Sequence, residues 1–209
     1  MPTSPPTAPV QICNLALDYL GESPVSSIEN PTDQREEIMA RWYDHVRMTV
    51  LREFVWNFAQ NYTVLTRSGD GLGGHTDKYN LPNDCVRVNS VGSDPYNGIR
   101  EYDIFGREIH CSEGTSLPIW YNKNVVDVPT MDPLFVNVLA LRLAIKTAYK
   151  FTKKKSVVES LSALLKLEEP KATSVDGQEK VPRRIQRSRY LSARKYGTTS
   201  NPKYYEYNP

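Results

Sequence analysis

One stretch of the sequence is apolar on nearly every side of the helix that it predicts. It follows Asp132, a favourable N-cap, and Pro133, which fits a first helical turn because its missing N–H would be unpaired there. The apolar residues are Leu134, Phe135, Val138, Leu139, Leu141, Leu143, Ala144, Ile145 and Ala148, with Arg142 and Lys146 as exceptions. A helix that is apolar all round is normally enclosed by other elements. We therefore expect this helix to be buried on most sides.

Apolar spacing of three or four residues predicts two helices before it. The first covers about Pro9–Leu20 and is followed by Gly21, a residue typical of a helix C-terminal cap. The second begins after Asp33, with Glu36 in a capping-box pattern, and its periodicity continues to about Phe58. A helix of about 25 residues would be about 38 Å long.

A fourth helix is predicted to begin at Ser156, with Glu159 as its capping partner, and to end before Pro170. Its apolar stripe is expected to comprise Leu161, Leu164, Leu165 and Leu167. The turn that precedes it carries Lys153–Lys155, where cations suit the end of the preceding helix.

Between the second and third helices the pattern changes to short runs separated by glycine and proline. The predicted strands are Tyr62–Leu65, Cys85–Val91, Tyr102–Phe105, Ile109–Cys111 and Ile119–Tyr121. The dipeptides Asn97-Gly98 and Phe105-Gly106 are typical of the turns between strands. This region therefore predicts a small, mostly antiparallel β module.

The predicted fold class is α+β: a long antiparallel helix bundle with an inserted small antiparallel β module and an extended basic C-terminal tail. The predicted segments are a leader (1–8), helices of the core bundle (9–60), the β module (61–129), helices completing the bundle (130–170) and a tyrosine-rich tail (171–209).

The charge is divided unevenly along the chain. The first 145 residues hold 11 Lys/Arg and 18 Asp/Glu, whereas the remainder holds 15 and 6. Such a basic end suggests an acidic partner, either nucleic acid or a protein surface, although it also serves solubility. Within the tail, the candidate residues for docking on a portal or a neighbouring subunit are Arg183, Arg184, Arg187, Arg189, Tyr190, Tyr196, Tyr204 and Tyr205.

No catalytic or metal-binding pattern stands out. The glycine-rich segment Gly69–Gly74 lacks the Gly-Lys-Ser/Thr ending of a phosphate loop and is expected to be a hairpin tip. The three cysteines and three histidines lack the paired spacing that zinc sites need. We therefore expect a non-enzyme with no cofactor, no metal and no small-molecule substrate. No apolar run approaches the roughly 20 residues of a membrane span, so membrane insertion is not expected.

A cluster of aromatic residues falls at helical spacing and comprises Trp42, Tyr43, Phe54, Trp56 and Phe58. Such a cluster could stack on nucleic-acid bases, but residues at this spacing more often form a structural core. His45 is expected on the helix surface opposite Trp42.

Several short motifs occur in a fixed order along the chain. They are Asn14-x-Ala16-Leu17-x-x-Leu20-Gly21 with Pro24 and Ile28, Tyr43-Asp44-x-x-Arg47-x-x-x-Leu51-Arg52, Trp56-Asn57-Phe58-Ala59, Tyr79-x-Leu81-Pro82-x-Asp84-Cys85-x-Arg87-Val88, Gly106-Arg107-x-Ile109, Ile119-x-Tyr121, Asp132-Pro133-Leu134-Phe135 and Ala140-x-Arg142-Leu143-Ala144. Together, over about Ile12–Leu167, they resemble the tail tubular protein A family, the head-to-tail adaptors of short-tailed bacteriophages.

The resemblance implies a structural virion protein that forms a homo-dodecameric ring. The ring would join the portal protein to the tail nozzle protein and enclose the channel for genomic DNA. It would be located in the tail of the virion after synthesis in the host cytoplasm. The leader and the tail beyond Lys171 have no motif that aligns with the family, so their roles follow from composition alone.

Two other classes stay open. One is a nucleic-acid-binding virion protein that uses the C-terminal segment as a basic arm, which predicts DNA binding that weakens steeply with salt. The other is a virion enzyme such as a wall-degrading hydrolase, for which the sequence offers no acid/base pair.

Overall fold

The fold is α+β, with helices and an antiparallel sheet, as the sequence predicts. The computed structural model describes residues 6–95, 98–99 and 101–179. In this part of the chain the helices are α1 (Pro9–Asp18), α2 (Gln34–Glu53), α3 (Pro133–Thr152) and α4 (Lys155–Gln178). The strands are β1 (Gln60–Asp70), β2 (Asp77–Asn80), β3 (Cys85–Val91), β4 (Asp103–Phe105), β5 (Glu108–Cys111) and β6 (Ser116–Lys123). Short 3-10 turns cover Asn57–Ala59 and Val128–Thr130.

Helix α3 is the centre of the helical part. Its N-terminus is capped by Asp132, whose Oδ1 accepts a hydrogen bond from the N–H of Leu134 at 2.7 Å. Helices α1, α2 and α4 all pack against it. Ten of its residues are buried, including Phe135, Leu139 and Leu143. The prediction that the apolar helix is buried on most sides is therefore confirmed.

The six strands form one antiparallel sheet in the order β3-β6-β1-β2-β5-β4. Strand β1 is longer than its apolar run suggested: its first part pairs with β6 and its last part with β2. Strand β2 was not predicted, because its sequence of Asp, Lys, Tyr and Asn contains little apolar signal. One face of the sheet encloses a second core, which includes Leu65, Tyr79, Ile109, Leu117 and Ile119. A hairpin tip joins β1 to β2 as expected, but it covers Gly71–Thr76 and not Gly69–Gly74, because Gly69 and Asp70 still belong to β1.

Helix α2 ends earlier than predicted. It stops at Glu53, and Phe54 is extended with φ −119° and ψ 158°. The aromatic residues that continued the periodicity, Phe54, Trp56 and Phe58, reach the same core from a loop and a 3-10 turn. The expected helix to about Phe58 was therefore wrong, because apolar spacing does not distinguish a helix from a loop that returns to one core.

Helix α4 differs from its prediction at both ends. It begins at Lys155 after Lys154, with no side-chain cap, so the expected capping by Ser156 and Glu159 is absent from this described helix. It also continues through Pro170 to Gln178. Residues 171–178, which were assigned to the extended tail, are thus helical. The remaining part of that predicted tail, 180–209, lies outside the described residues.

Candidate functional site

The predicted docking residues cannot define a site on the described surface. Arg183, Arg184, Arg187, Arg189, Tyr190, Tyr196, Tyr204 and Tyr205 all lie beyond Glu179, outside the described residues. The described part of the chain offers two kinds of feature: the contacts between the helices and the sheet, and the surfaces that these elements expose.

The five aromatic residues predicted as core all contact the helical core. Tyr43 and Trp56 are buried, while Trp42, Phe54 and Phe58 are partly buried against the same cluster. Trp56 is fully buried, its ring meets Phe135 edge-on at 5.2 Å, and its Nε1 donates to the carbonyl of Val50 at 3.1 Å. These five rings therefore do not form an exposed platform on which nucleic-acid bases could stack.

His45 is exposed on the surface of α2, as expected, but it does not lie opposite Trp42. Its ring meets Trp42 edge-on with 5.7 Å between centroids, so the two residues share one side of α2. A spacing of three residues places side chains on the same helix face.

Side chains from the sheet bind the last carbonyls of α2. The Nδ2 group of Asn122 on β6 donates to the carbonyls of Leu51 at 2.8 Å and Phe54 at 2.6 Å. Arg87 on β3 donates to the carbonyls of Arg52 at 3.2 Å and Glu53 at 3.0 Å. The last carbonyls of a helix have no partner within the helix. These contacts, which we call the helix–sheet junction, therefore end α2 and attach it to the sheet.

A buried arginine extends the helix–sheet junction. Arg47 on α2 is only 3 % exposed, and it donates to Asn124 Oδ1 at 2.6 Å and to the carbonyl of Val125. Its guanidinium also pairs with Asp44 at 3.0 Å. A buried charge must be paired and hydrogen-bonded to be tolerated. Arg47 therefore fixes the chain that leaves β6 against α2.

A second arginine joins three helices. Arg142, the main exception in the apolar α3, pairs with Glu53 at the end of α2 at 2.5 Å and with Glu169 on α4. It lies 5.9 Å from the ring centre of Phe54. Burial acts to lower the pKa of Arg142, but the hydrogen bonds that its guanidinium donates to both carboxylates outweigh burial and raise the pKa above its usual value. Arg142 therefore stays charged and holds the end of α2 to α4.

The last turns of α4 are tied to the start of the sheet. Asp176, which is 7 % exposed, accepts from the backbone N–H of Asn57 at 3.0 Å, and its carbonyl accepts from the Asn57 side chain. Asp176 thus caps the 3-10 turn that leads into β1. No sequence pattern indicated this role, because the contact joins residues 119 positions apart.

Exposed side chains of the described residues form at least three separate surfaces on this framework. The α4 stripe consists of Leu164, Leu167 and Val175, which are 36 %, 71 % and 42 % exposed. Leu164 and Leu167 belong to the single apolar stripe that was predicted, but of its four leucines Leu161 is buried, Leu165 packs beside it, and Leu164 and Leu167 are exposed. The apolar periodicity was correct, yet α4 is apolar on two faces.

The second surface is an uncovered part of the sheet, formed by Tyr62, Val64, Pro118 and Trp120, which we call the sheet patch. Tyr62 lies opposite Trp120 in the strand register, with 5.0 Å between ring centres, and Val64 lies opposite Pro118. Tyr62 is 43 % and Val64 52 % exposed. The third surface is a group of lysines where α3 meets α4, described below.

The three cysteine thiols are not activated. Burial raises the pKa of Cys13 to about 12 and also raises the pKa values of Cys85 and Cys111, so the thiols stay protonated near neutral pH. In the described part of the chain, no group of three His, Cys, Asp or Glu side chains is placed to hold a metal ion. None of the described helices is long and apolar enough to cross a membrane.

No model of a known protein family matches this chain, and no curated protein matches it either. The resemblance to tail tubular protein A thus stays a prediction that depends on the residues themselves.

Proposed function

We propose that this protein is a structural virion protein: a head-to-tail adaptor that forms a dodecameric ring between portal and tail nozzle and encloses the DNA channel. The observation that carries the proposal is that the helices and the sheet are joined by polar contacts, and that each of them exposes a separate apolar surface. Those surfaces are the α4 stripe and the sheet patch.

Ring assembly places a specific demand on a subunit. A head-to-tail ring needs two different surfaces on each copy, because each interface joins unlike faces of neighbouring copies. The α4 stripe and the sheet patch lie on different elements and have different shapes, since one is a helix ridge and the other a flat strand surface. We infer that the stripe of one copy packs on the sheet patch of the next.

The motifs behind the resemblance support this proposal through their structural roles. Arg47, Arg52 and Arg87 belong to contacts between α2 and the sheet or its flanking chain, and Arg142 joins three helices. A subunit of a ring that bears load needs its two parts braced against each other. On this proposal the helices form a bundle that builds the wall of the ring, the sheet forms a second contact layer, and the basic tail docks on the portal or a neighbouring subunit.

Electron micrographs of the purified full chain, alone and mixed with portal-bearing capsids, test the proposal. We expect twelve-fold rings on the capsid vertex. The double variant Leu164→Lys and Leu167→Lys should abolish rings while the subunit stays folded, as judged by circular dichroism. Val126→Lys is the matched control, because Val126 is 60 % exposed but lies outside both surfaces. Failure to bind capsids or form rings under any condition would overturn the proposal.

The second candidate is a nucleic-acid-binding virion protein with a basic C-terminal arm. It is favoured by the basic composition of residues 180–209, which hold eight Lys/Arg and one acidic residue. Deleting 180–209 separates the two candidates. Loss of capsid attachment with little change in affinity for duplex DNA supports the adaptor, whereas normal attachment with loss of tight DNA binding supports the arm.

A further inference from the structure

Five exposed lysines surround the tight turn between α3 and α4. They are Lys146, Lys150, Lys153, Lys154 and Lys155, and we call them the lysine patch. Within the described part of the chain, no ammonium group of these lysines forms an ion pair or a hydrogen bond; Lys154 donates only its backbone N–H, to Thr152 Oγ1 at 3.2 Å. The sequence from 133 to 167 contains one carboxylate, Glu159, and it is exposed. The charge of the patch is therefore nearly uncompensated.

The lysines are arranged as a continuous ridge. On α3, Lys146 and Lys150 are four residues apart, which places them on one side of the helix, and Lys153 follows directly after the last helical residue, Thr152. Exposed Tyr149 lies on the same side and is 64 % exposed. At 1.5 Å per residue this ridge is about 10 Å long. One DNA strand carries a phosphate about every 3.4 Å along the helix axis, so the ridge spans about three phosphates.

The backbone conformation of the turn does not favour a lysine at position 153. Lys153 adopts a left-handed conformation with φ +54°, and its N–H donates to the carbonyl of Tyr149 at 3.2 Å. Glycine is the usual residue at such a helix end because it lacks a Cβ, and asparagine also occurs there. A lysine at this position is less favourable for the fold. It instead adds a charge where the ridge meets the next two lysines.

The chemistry of the patch favours one class of anionic partner. A membrane-binding tip would present several large apolar side chains to insert. Beside this turn Tyr149 is exposed, but Phe151, Val157 and Val158 pack against the helical core. Protein interfaces are depleted in lysine and enriched in arginine, and the described patch contains only lysine. Lysine acts as a mobile point charge that suits phosphates without sequence preference.

We propose that the lysine patch contacts the phosphate backbone of duplex DNA. The inference rests on the proposed function, because the proposed ring encloses DNA and thus brings this anionic partner close to the protein. It assigns the α3–α4 turn to the side of the ring that faces the DNA. It differs from the basic-arm candidate because the contact is made by the folded body.

Residue-resolved acetylation of lysines in the full chain tests the contact. The protein is treated with an acetylating reagent with and without a generic duplex DNA, and each lysine is quantified by mass spectrometry. We expect DNA to slow acetylation severalfold across the lysine patch and to leave Lys123 and Lys166 unchanged. Equal acetylation of the patch with and without DNA would overturn the proposal. Equal protection by vesicles of anionic lipid would overturn DNA as the specific partner class.

Charge-removing variants provide a second measurement on the full chain. The variant Lys146→Gln, Lys150→Gln and Lys154→Gln removes three charges, and Lys123→Gln, Lys166→Gln and Lys171→Gln is the matched control. Each lost phosphate contact lowers the slope of log K against log salt by about 0.9, so we expect the patch variant to lose about 2.7 and the control to lose less than one. An equal loss in both variants would show a general charge effect and contradict the proposal.

The outcomes distinguish this inference from the proposed function. Rings that attach to capsids normally, combined with an unprotected patch, would refute the DNA contact and leave the adaptor in place. A protected patch in a chain that never forms rings or binds capsids would refute the adaptor and leave the DNA contact.

Discussion

Trp56 shows how a single side chain organises the helical core. It is fully buried, contacts the rings of Phe54, Phe58 and Phe135, and binds a carbonyl of α2 through its indole N–H. The ring therefore fills volume in the core and also helps to end a helix.

Trp56→Ala should destabilise the protein by about 3–5 kcal/mol, because it creates a large cavity and leaves the Val50 carbonyl without its partner. Chemical denaturation measures the change. Trp120→Ala is the control: that ring is only partly buried on the sheet patch, so the loss should be clearly smaller. Equal losses would mean that Trp56 is not the principal core aromatic.

The carboxylate of Glu36 contributes to the stability of the folded protein in a way that depends on pH. Hydrogen bonds from the backbone and hydroxyl of Thr32 and the hydroxyl of Ser26 lower its pKa to about 2. The unfolded value is near 4.3, so the ionised form is favoured in the folded state. Its stabilisation is fully present above about pH 4.3 and is lost as the pH falls toward the folded pKa.

We therefore expect Glu36→Gln to flatten the fall in stability between neutral pH and about pH 2. Thermal melts across this pH range measure the slope. Glu37→Gln alters the next residue on α2, which is exposed, and should retain the slope of the parent. A Glu36→Gln variant with the parent's pH dependence would contradict the assigned role.

At the scale of elements, α4 illustrates how one helix serves two surfaces. Its inner side packs on α3 through Leu161 and Leu165, and its outer side carries the α4 stripe. Its C-terminal turns are fixed by Asp176, which binds the 3-10 turn before β1. The segment after Pro170 therefore belongs to the folded body.

Asp176→Ala should cost about 1–3 kcal/mol, because the N–H of Asn57 loses its acceptor. Hydrogen exchange should rise specifically in residues 171–178. Asp176→Asn keeps one side-chain oxygen as an acceptor and should recover part of the loss. Unchanged exchange in the alanine variant would show that α4 is held there by other contacts.

At the scale of the whole molecule, two apolar cores stabilise the described body. The helical core includes residues from Ile12 to Ala172, and the second core lies within the sheet. All the described buried members of both cores lie between Ile12 and Ala172.

A chain truncated after Glu179 should therefore melt close to the parent, whereas truncation after Pro170 should lower the melting temperature by several degrees. The shorter chain loses Ala172, which is 2 % exposed, and Asp176. Circular dichroism of both chains measures the difference. Equal melting temperatures would place the boundary of the folded body at residue 170, where the sequence analysis had expected it.

The sequence by itself determined the elements whose signals are local. The apolar run and the Asp132-Pro133 pair identified α3, and the β-branched run Cys85–Val91 identified β3 with its observed bounds. Side-chain periodicity and capping depend on residues three or four apart, so a short window of sequence contains them.

Only the tertiary structure decided where α2 and α4 end and which polar residues matter. The last carbonyls of α2 accept hydrogen bonds from Asn122 and Arg87, and Asp176 accepts one from Asn57. In each pair the two residues are far apart in sequence. In the sequence, Arg142 is only an exception in an apolar helix. Its role follows from the fold, which places Glu53 and Glu169 within reach of its guanidinium. The physical reason is that a buried hydrogen bond or ion pair depends on which distant groups the fold places within reach, and local sequence carries no record of that distance.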